Sequence, residues 1–354
     1  MTIHTDTDLS ITIATPNEMH VHFRDKNMMK TVVPYTARQF GRGVVMPNTP
    51  TPITTAQQAE LYREEIKKCL VNSTDFTPLM MAYLTPMTNP EDIAEGFERG
   101  IFFGAKLYPS GATTNSNHGI HNIKQIASVL HTMETIGMPL SIHGEVVDSH
   151  VDIFDREKHF LHSTLTEIIN TYPKLRITME HITTKDAVEF LHQTDDTVGA
   201  TITPQHLMYN RNAMLVGGIR PHLYCLPILK REENRLALRE LITSGFNRVF
   251  LGTDSAPHTQ ATKESNCGCA GVFSAMHALE FYAHVFDEEN ALHHFEGFAT
   301  TNAEKFHNMP NNAGFITLEK KPTNVPASVQ IHDTTQTLIP LCAGETIQWK
   351  MQEK

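Results

Sequence analysis

Cysteine is scarce in this chain. Five residues (Cys69, Cys225, Cys267, Cys269 and Cys342) are scattered over 354 positions, an odd set that excludes a disulfide framework and leaves reduced thiols as the expectation. Cys267-Gly268-Cys269 has no second cysteine pair at finger or ribbon spacing, which counts against a structural metal there. Long apolar runs are absent too, so no bilayer span is expected. Met1 to Ser10 is polar, with no basic stretch leading into an apolar one, so no signal peptide is expected and the chain reads as cytoplasmic. Basic blocks are also missing: Lys and Arg total 29 against 39 Asp and Glu, a net charge of -10. That balance argues against nucleic acid or an anionic membrane as partner. A small anionic substrate would need a locally positive pocket within this acidic surface. There is no internal repeat and no low-complexity segment.

What is present is an ordinary soluble composition, 40% hydrophobic and 19% charged, with short β-branched runs alternating with helix-period segments. The runs are Glu18 to Phe23, Gly43 to Pro47, Leu79 to Leu84, Phe103 to Tyr108, Pro139 to His143, Arg176 to His181, Gly199 to Thr203 and Arg248 to Gly252. Helices are expected at Met28 to Phe40, Thr55 to Lys68, Pro90 to Arg99, Ile123 to Ile136, His162 to Thr171, Thr184 to Gln193 and Arg231 to Ser244. This alternation predicts parallel strands with crossover helices, and eight strands are the number of a closed α/β (β/α)8 TIM barrel. We expect one domain over 1-354, with the barrel at about 11-310 and a small C-terminal extension at about 311-354. Three connections are long and without expected structure: Pro109 to Gly119, Pro204 to Lys230 and Ser255 to Gly271. All three follow strands, on the face where barrel active sites lie.

Polar residues gather at that face. His20 and His22 lie one residue apart in an extended segment, so both imidazoles project the same way, with Met19, Val21 and Phe23 opposite. Such a pair is a metal half-site, although the spacing alone also fits two ordinary histidines. Later strands end in Lys106, His143, His181 and Asp254, and this joint pattern points to a metal centre. A lysine within the apolar strand around Lys106 costs several kcal/mol unless neutralised or paired. Its neutral amine can react with carbon dioxide to give an anionic carbamate able to bridge two cations. Beside a metal, Asp254 can ligate the ion and take the proton of a bound water. Arg24 offers a planar fork of donors suited to a carboxylate, Asn48 a further donor, and His258 a neighbouring substrate contact.

The stretches Met19-His20-Val21-His22-Phe23-Arg24-Asp25, Met46-Pro47-Asn48-Thr49, Ala105-Lys106-Leu107-Tyr108-Pro109 and Ser141-Ile142-His143-Gly144-Glu145 resemble those of the shorter, bacterial (class II) dihydroorotases of the amidohydrolase superfamily. So do Met179-Glu180-His181-Ile182-Thr183, Ile219 to Pro227, Gly252 to His258 and Lys263 to Gly271. The resemblance implies two zinc ions, one held by His20, His22 and Asp254 and the second by His143 and His181, bridged by N6-carboxylated Lys106. It implies Asp254 as the catalytic proton carrier. Substrate contacts would come from His22, His143, Arg24, Asn48 and His258, from backbone at Leu226 and Ala270, and from Thr113 and Thr114 in a loop closing over the site. The activity implied is reversible cyclisation of N-carbamoyl-L-aspartate to L-dihydroorotate in pyrimidine synthesis, by a homodimer. The alternatives are a dihydropyrimidinase or hydantoinase, whose substrates lack the carboxylate, and an inactive barrel acting as a scaffold.

Overall fold

The computed structural model describes residues 1–4, 9–70 and 75–352. Its centre is a barrel of eight parallel strands: Asn17–Val21, Arg42–Val45, Thr77–Tyr83, Phe102–Leu107, Leu140–His143, Ile177–Glu180, Val198–Ile202 and Val249–Leu251. Each pairs with the next in sequence. All eight overlap the expected runs to within a few residues. Helices cover the outer face, so the strands are buried on both sides and read as apolar runs without strict alternation.

The barrel closes where its last strand meets its first. Val21 bridges Ser255, the Asp254 amide donates to the His20 carbonyl at 2.9 Å, and the His22 amide donates to the Ser255 carbonyl at 3.1 Å. Buried Glu18 spans the same seam, accepting from the amides of His20 at 2.9 Å and Thr253 at 2.8 Å. Burial raises its pKa to about 8, so near neutral pH it is largely uncharged in this seam. The closing segments are the ones that carry His20, His22 and Asp254.

The first strand departs from simple alternation. Its register shifts between Glu18 and Val21. Met19 packs with Val44, Met46, Met81 and Phe250, whereas Val21 and Phe23 join the main core. The expectation that Met19 shares a face with Val21 and Phe23 is thereby corrected: an irregularity in pairing interrupts the period of two.

Helix starts follow capping chemistry. Thr55 and Gln58 form a reciprocal capping box before Ala56–Lys67, Asn89 caps a helix with Pro90 at its first position, and the Thr184 hydroxyl accepts from the Ala187 amide. Two expectations need correction. The helix expected from His162 begins at Arg156 and passes through a π turn at Leu161–Leu165. The two later loops expected to be structureless hold short helices, Pro204–Met208, Arg211–Leu215 and Gln260–Lys263. Each is four or five residues long, too short for a helical period to register, yet each is capped by a side chain, from Thr203, Asn210 and Thr259.

The two ends of the chain meet in a second, antiparallel sheet. Ser10–Ala14 lies between Thr2–His4 and Phe315–Glu319, and Lys350–Met351 completes the edge. The Ala14 amide donates to Glu296 Oε1 at 2.8 Å, and buried Trp349 donates to Asp287 Oδ2 at 3.3 Å, which ties this sheet to the barrel's outer helices. No described helix is long and apolar enough to cross a membrane.

Candidate active site

At the C-terminal rim of the barrel the first strand supplies His20, with His22 just beyond it, and the turn after the eighth supplies Asp254. His20 Nε2 and His22 Nε2 stand 3.3 Å apart. Asp254 Oδ1 is 3.0 Å from His22 Nε2 and 3.4 Å from His20 Nε2. Ligand atoms about 2.0–2.2 Å from a tetrahedral ion are roughly 3.3–3.5 Å from one another, so these three atoms fit one divalent cation. The His20 tautomer suits that role: Nδ1 faces Glu180 Oε2 at 2.7 Å, which assigns the proton to Nδ1 and leaves the Nε2 lone pair free.

The other two rim histidines extend the cluster. His181 follows the sixth strand, and its ring centroid lies 5.0 Å from His20 and 4.9 Å from His143. His143 ends the fifth strand with Nε2 at 2.8 Å from Glu145 Oε2. Lys106 sits on the fourth strand, fully buried, and its Nζ has no hydrogen-bond partner among the described residues. Burial depresses its pKa to about 8, against the opposing pull of Glu180 and Asp254. A sizeable fraction of neutral amine is therefore available near physiological pH.

Burial also lowers the pKa values of His20, His22 and His181, and raises that of Asp254. The site thus resists charging any of its groups without a partner. Buried neutral imidazoles, a carboxylate and an unpartnered amine form the donor set that a hard-to-borderline divalent metal accepts.

Three residues here hold positive φ without being glycine: Arg24 at 58°, His181 at 41° and Asp254 at 44°. This backbone conformation is costly for side-chain-bearing residues and clusters at functional sites. It sets these three side chains at the turns leaving their strands.

Opposite the cluster lies a cationic end. Arg24 Nε donates to the Pro257 carbonyl at 3.0 Å, and Nη2 donates to His258 Nε2 at 3.0 Å. His258 accepts because it is neutral: burial, with Arg24 and Lys263 nearby, lowers its pKa to about 3. Asn48 Nδ2 donates to the Thr114 carbonyl at 3.0 Å, while Asn48 Oδ1 is buried without a partner among the described residues. The Pro109 to Gly119 loop folds across this end, and Thr114 Oγ1 donates to the Ala270 carbonyl at 3.4 Å.

One pocket is lined by His20, His22, Arg24, Asn48, Thr113, Thr114, His143, His181, Leu226, Asp254 and Ala270. Lys106 is fully buried and not among these lining residues, and His258 adjoins the pocket through Arg24. The sequence reading missed Tyr108, which lines the pocket and whose buried hydroxyl has no partner among the described residues, and the carboxylates Glu145 and Glu180 that orient His143 and His20. Their positions were available as signals, since Glu145 follows His143 by two residues and Glu180 directly precedes His181.

The amidohydrolase family matches residues 15–327. A dihydroorotase of Novosphingobium aromaticivorans is 54% identical over 342 residues, covering 97% of this chain and 98% of that protein. Among solved structures, a Campylobacter jejuni dihydroorotase superposes with a TM-score of 0.89 at 32% identity, covering 99% of each chain. A Saccharomyces cerevisiae dihydroorotase in complex with 5-fluoroorotic acid gives 0.90 at 28% identity, over 97% of this chain and 98% of that one. An Arthrobacter aurescens L-hydantoinase shares the fold, with a TM-score of 0.78 at 15% identity over 96% of this chain and 82% of that one.

Proposed function

The chain belongs to the amidohydrolase family, among its dihydroorotases, and we propose from the site's geometry how it interconverts N-carbamoyl-L-aspartate and L-dihydroorotate. The observation that carries this reading is a metal-type cluster and a fixed guanidinium facing one pocket. The family is metal-dependent, and the ligand assignment is part of the proposal. His20, His22 and Asp254 would hold one zinc and His143 and His181 a second. Lys106, having added carbon dioxide at its neutral Nζ with loss of one proton, would bridge them. Bound there, the metal supplies Lewis-acid polarisation of the reacting carbonyl and acidification of water.

The chain's own groups do the rest. Arg24, Asn48 and His258 hold the substrate carboxylate, and because Arg24 is already fixed by Pro257 and His258, little of its freedom is lost on binding. Backbone at Leu226 and Ala270 holds the ring, and Thr113 and Thr114 close over it. In hydrolysis the ring amide C–N bond breaks as water adds to its carbonyl carbon. Asp254 takes the proton of that water and passes it to the departing ring nitrogen. In synthesis the ureido nitrogen attacks the β-carboxyl carbon, and Asp254 carries the proton from nitrogen to the departing oxygen.

Hydantoin-type substrates give Arg24 no carboxylate to bind, and an inactive barrel would be expected to lose ligand residues, whereas all six stand here. A single domain, a homodimer and a cytoplasmic location belong to the same proposal. The test is dihydroorotate turnover before and after chelation: activity should vanish with the metal and return with added zinc. Turnover that survives complete metal removal would sink the proposed ligand roles.

A further inference from the structure

Beyond the residues facing the pocket, the loops after the seventh and eighth strands share one buried cation. Lys263 ends the short helix Gln260–Lys263 and is almost wholly buried. Its Nζ donates to the carbonyls of Tyr224 at 2.8 Å, Cys269 at 2.8 Å and Gly271 at 2.7 Å. An ammonium has three donors, so its capacity is filled. Among the described residues it has no ion pair with an acidic side chain. Three backbone carbonyls, with the Tyr224 ring centroid 5.7 Å from Nζ, balance the charge, which ties the ammonium to the shape of the chain around it.

The consequence lies at Ala270. Ala270 lies between two residues whose carbonyls the ammonium holds, Cys269 and Gly271. The carbonyls of Cys269 and Gly271 both accept from Lys263, and the one between them takes a different partner. That Ala270 carbonyl accepts from Thr114 Oγ1 across the pocket mouth, and Ala270 lines the pocket. Leu226, two residues beyond Tyr224, lines it as well. The Gly271 amide donates to the Tyr224 carbonyl at 2.9 Å, joining the two loops at the lysine.

Two nearby positions leave no room for a side chain. A Cβ on Gly271, whose φ is +147°, would lie 2.3 Å from the Ala256 carbonyl oxygen, and one on Gly268 would lie 2.5 Å from the Lys263 carbonyl oxygen. Both glycines are needed for the chain to approach this closely.

We propose that Lys263 is a positioning residue for substrate binding, its ammonium holding the carbonyls of Tyr224, Cys269 and Gly271 so that backbone at Ala270 and Leu226 is presented to the ring. This rests on the reading that those two residues grip the ring of dihydroorotate. The grip is made in the bound substrate and in the transition state alike, so its loss raises KM and leaves kcat little changed.

The experiment is steady-state kinetics on the zinc-loaded enzyme carrying Lys263→Met, with zinc content and thermal unfolding measured alongside. KM for dihydroorotate should rise at least about tenfold while kcat stays within about threefold and zinc content is unchanged. Lys263→Gln, which keeps two donors, should fall between; if the methionine variant does not fold, the glutamine variant decides by the same readings. A folded variant with KM within about twofold of the parent overturns the proposal, as does a loss of kcat, zinc and thermal stability together without the KM effect. Failure of both variants to fold would assign Lys263 to stability alone and overturn it too. Normal KM in a folded variant of an active parent removes only Lys263's role, whereas an inactive zinc-loaded parent removes the function on which it rests.

Discussion

Replacing Arg24 by alanine removes a guanidinium that faces the pocket from a fixed position. Two of its five N–H groups are already used, by the Pro257 carbonyl and His258 Nε2, and three remain for a ligand. Its backbone is held as well, since the Tyr62 hydroxyl donates to the Arg24 carbonyl at 2.6 Å. Removing one partner of a buried, hydrogen-bonded charge pair costs about 2–5 kcal/mol. For Arg24→Ala that is a fall of roughly 30- to 4,000-fold in kcat/KM for dihydroorotate. Arg24→Lys keeps the charge but not the planar fork, and should lose less. The guanidinium is not among the cluster's ligand atoms, so zinc content should be unchanged. The assay is hydrolysis followed by loss of ring absorbance, with dihydrouracil, which has no carboxylate, as comparison. A kcat/KM for dihydroorotate within about threefold of the parent, or an equal proportional loss on dihydrouracil, would refute carboxylate recognition by Arg24.

Glu180→Gln weakens the carboxylate that fixes the His20 ring, and zinc affinity measured by competition with a chelator should fall roughly 10- to 100-fold; unchanged affinity would deny Glu180 that role. Glu157 is buried and accepts from the amides and hydroxyls of both Thr183 and Thr184, so Glu157→Ala should cost about 3 kcal/mol or more in denaturant unfolding, and a loss below about 1 kcal/mol would contradict that count. His307 is buried, and burial together with Arg176 lowers its pKa to about 3. The unfolded chain takes up this proton near pH 6.5 and the folded chain does not. Its contribution is therefore fully present above pH 6.5 and is lost as pH falls from there toward 3, by about 1.4 kcal/mol per unit. Unfolding of the metal-free protein at pH 6.5 and pH 5 should show a pH-dependent loss about 2 kcal/mol smaller for His307→Asn than for the parent; equal losses would contradict the shift.

Much of this site was legible because barrel chemistry sits where strands end. His20, Lys106, His143, His181 and Asp254 are polar residues at the ends of apolar runs, and a polar group there needs an explanation that a loop residue does not. The eight strands were legible for the same reason, as apolar runs of the right length between helix-period segments. What stayed hidden depends on neighbours far away in sequence. Glu180 matters through His20, 160 positions earlier, and Glu18 through Thr253, 235 positions later. Lys263 lay within a family-like stretch, yet its role appears only once Tyr224, Cys269 and Gly271 are seen around its ammonium. The pairing of Ser10–Ala14 with Phe315–Glu319 joins the chain's two ends, and neither strand alone announces its partner. The short helices after the seventh strand stayed hidden because five residues are barely more than one turn.

The most direct measurement is turnover of L-dihydroorotate by the purified, zinc-loaded protein beside hydantoin and dihydrouracil. Clear preference for dihydroorotate, lost on Arg24→Ala with zinc retained, is the result expected. No turnover of dihydroorotate by protein shown to carry metal, or equal turnover of all three, would contradict the account.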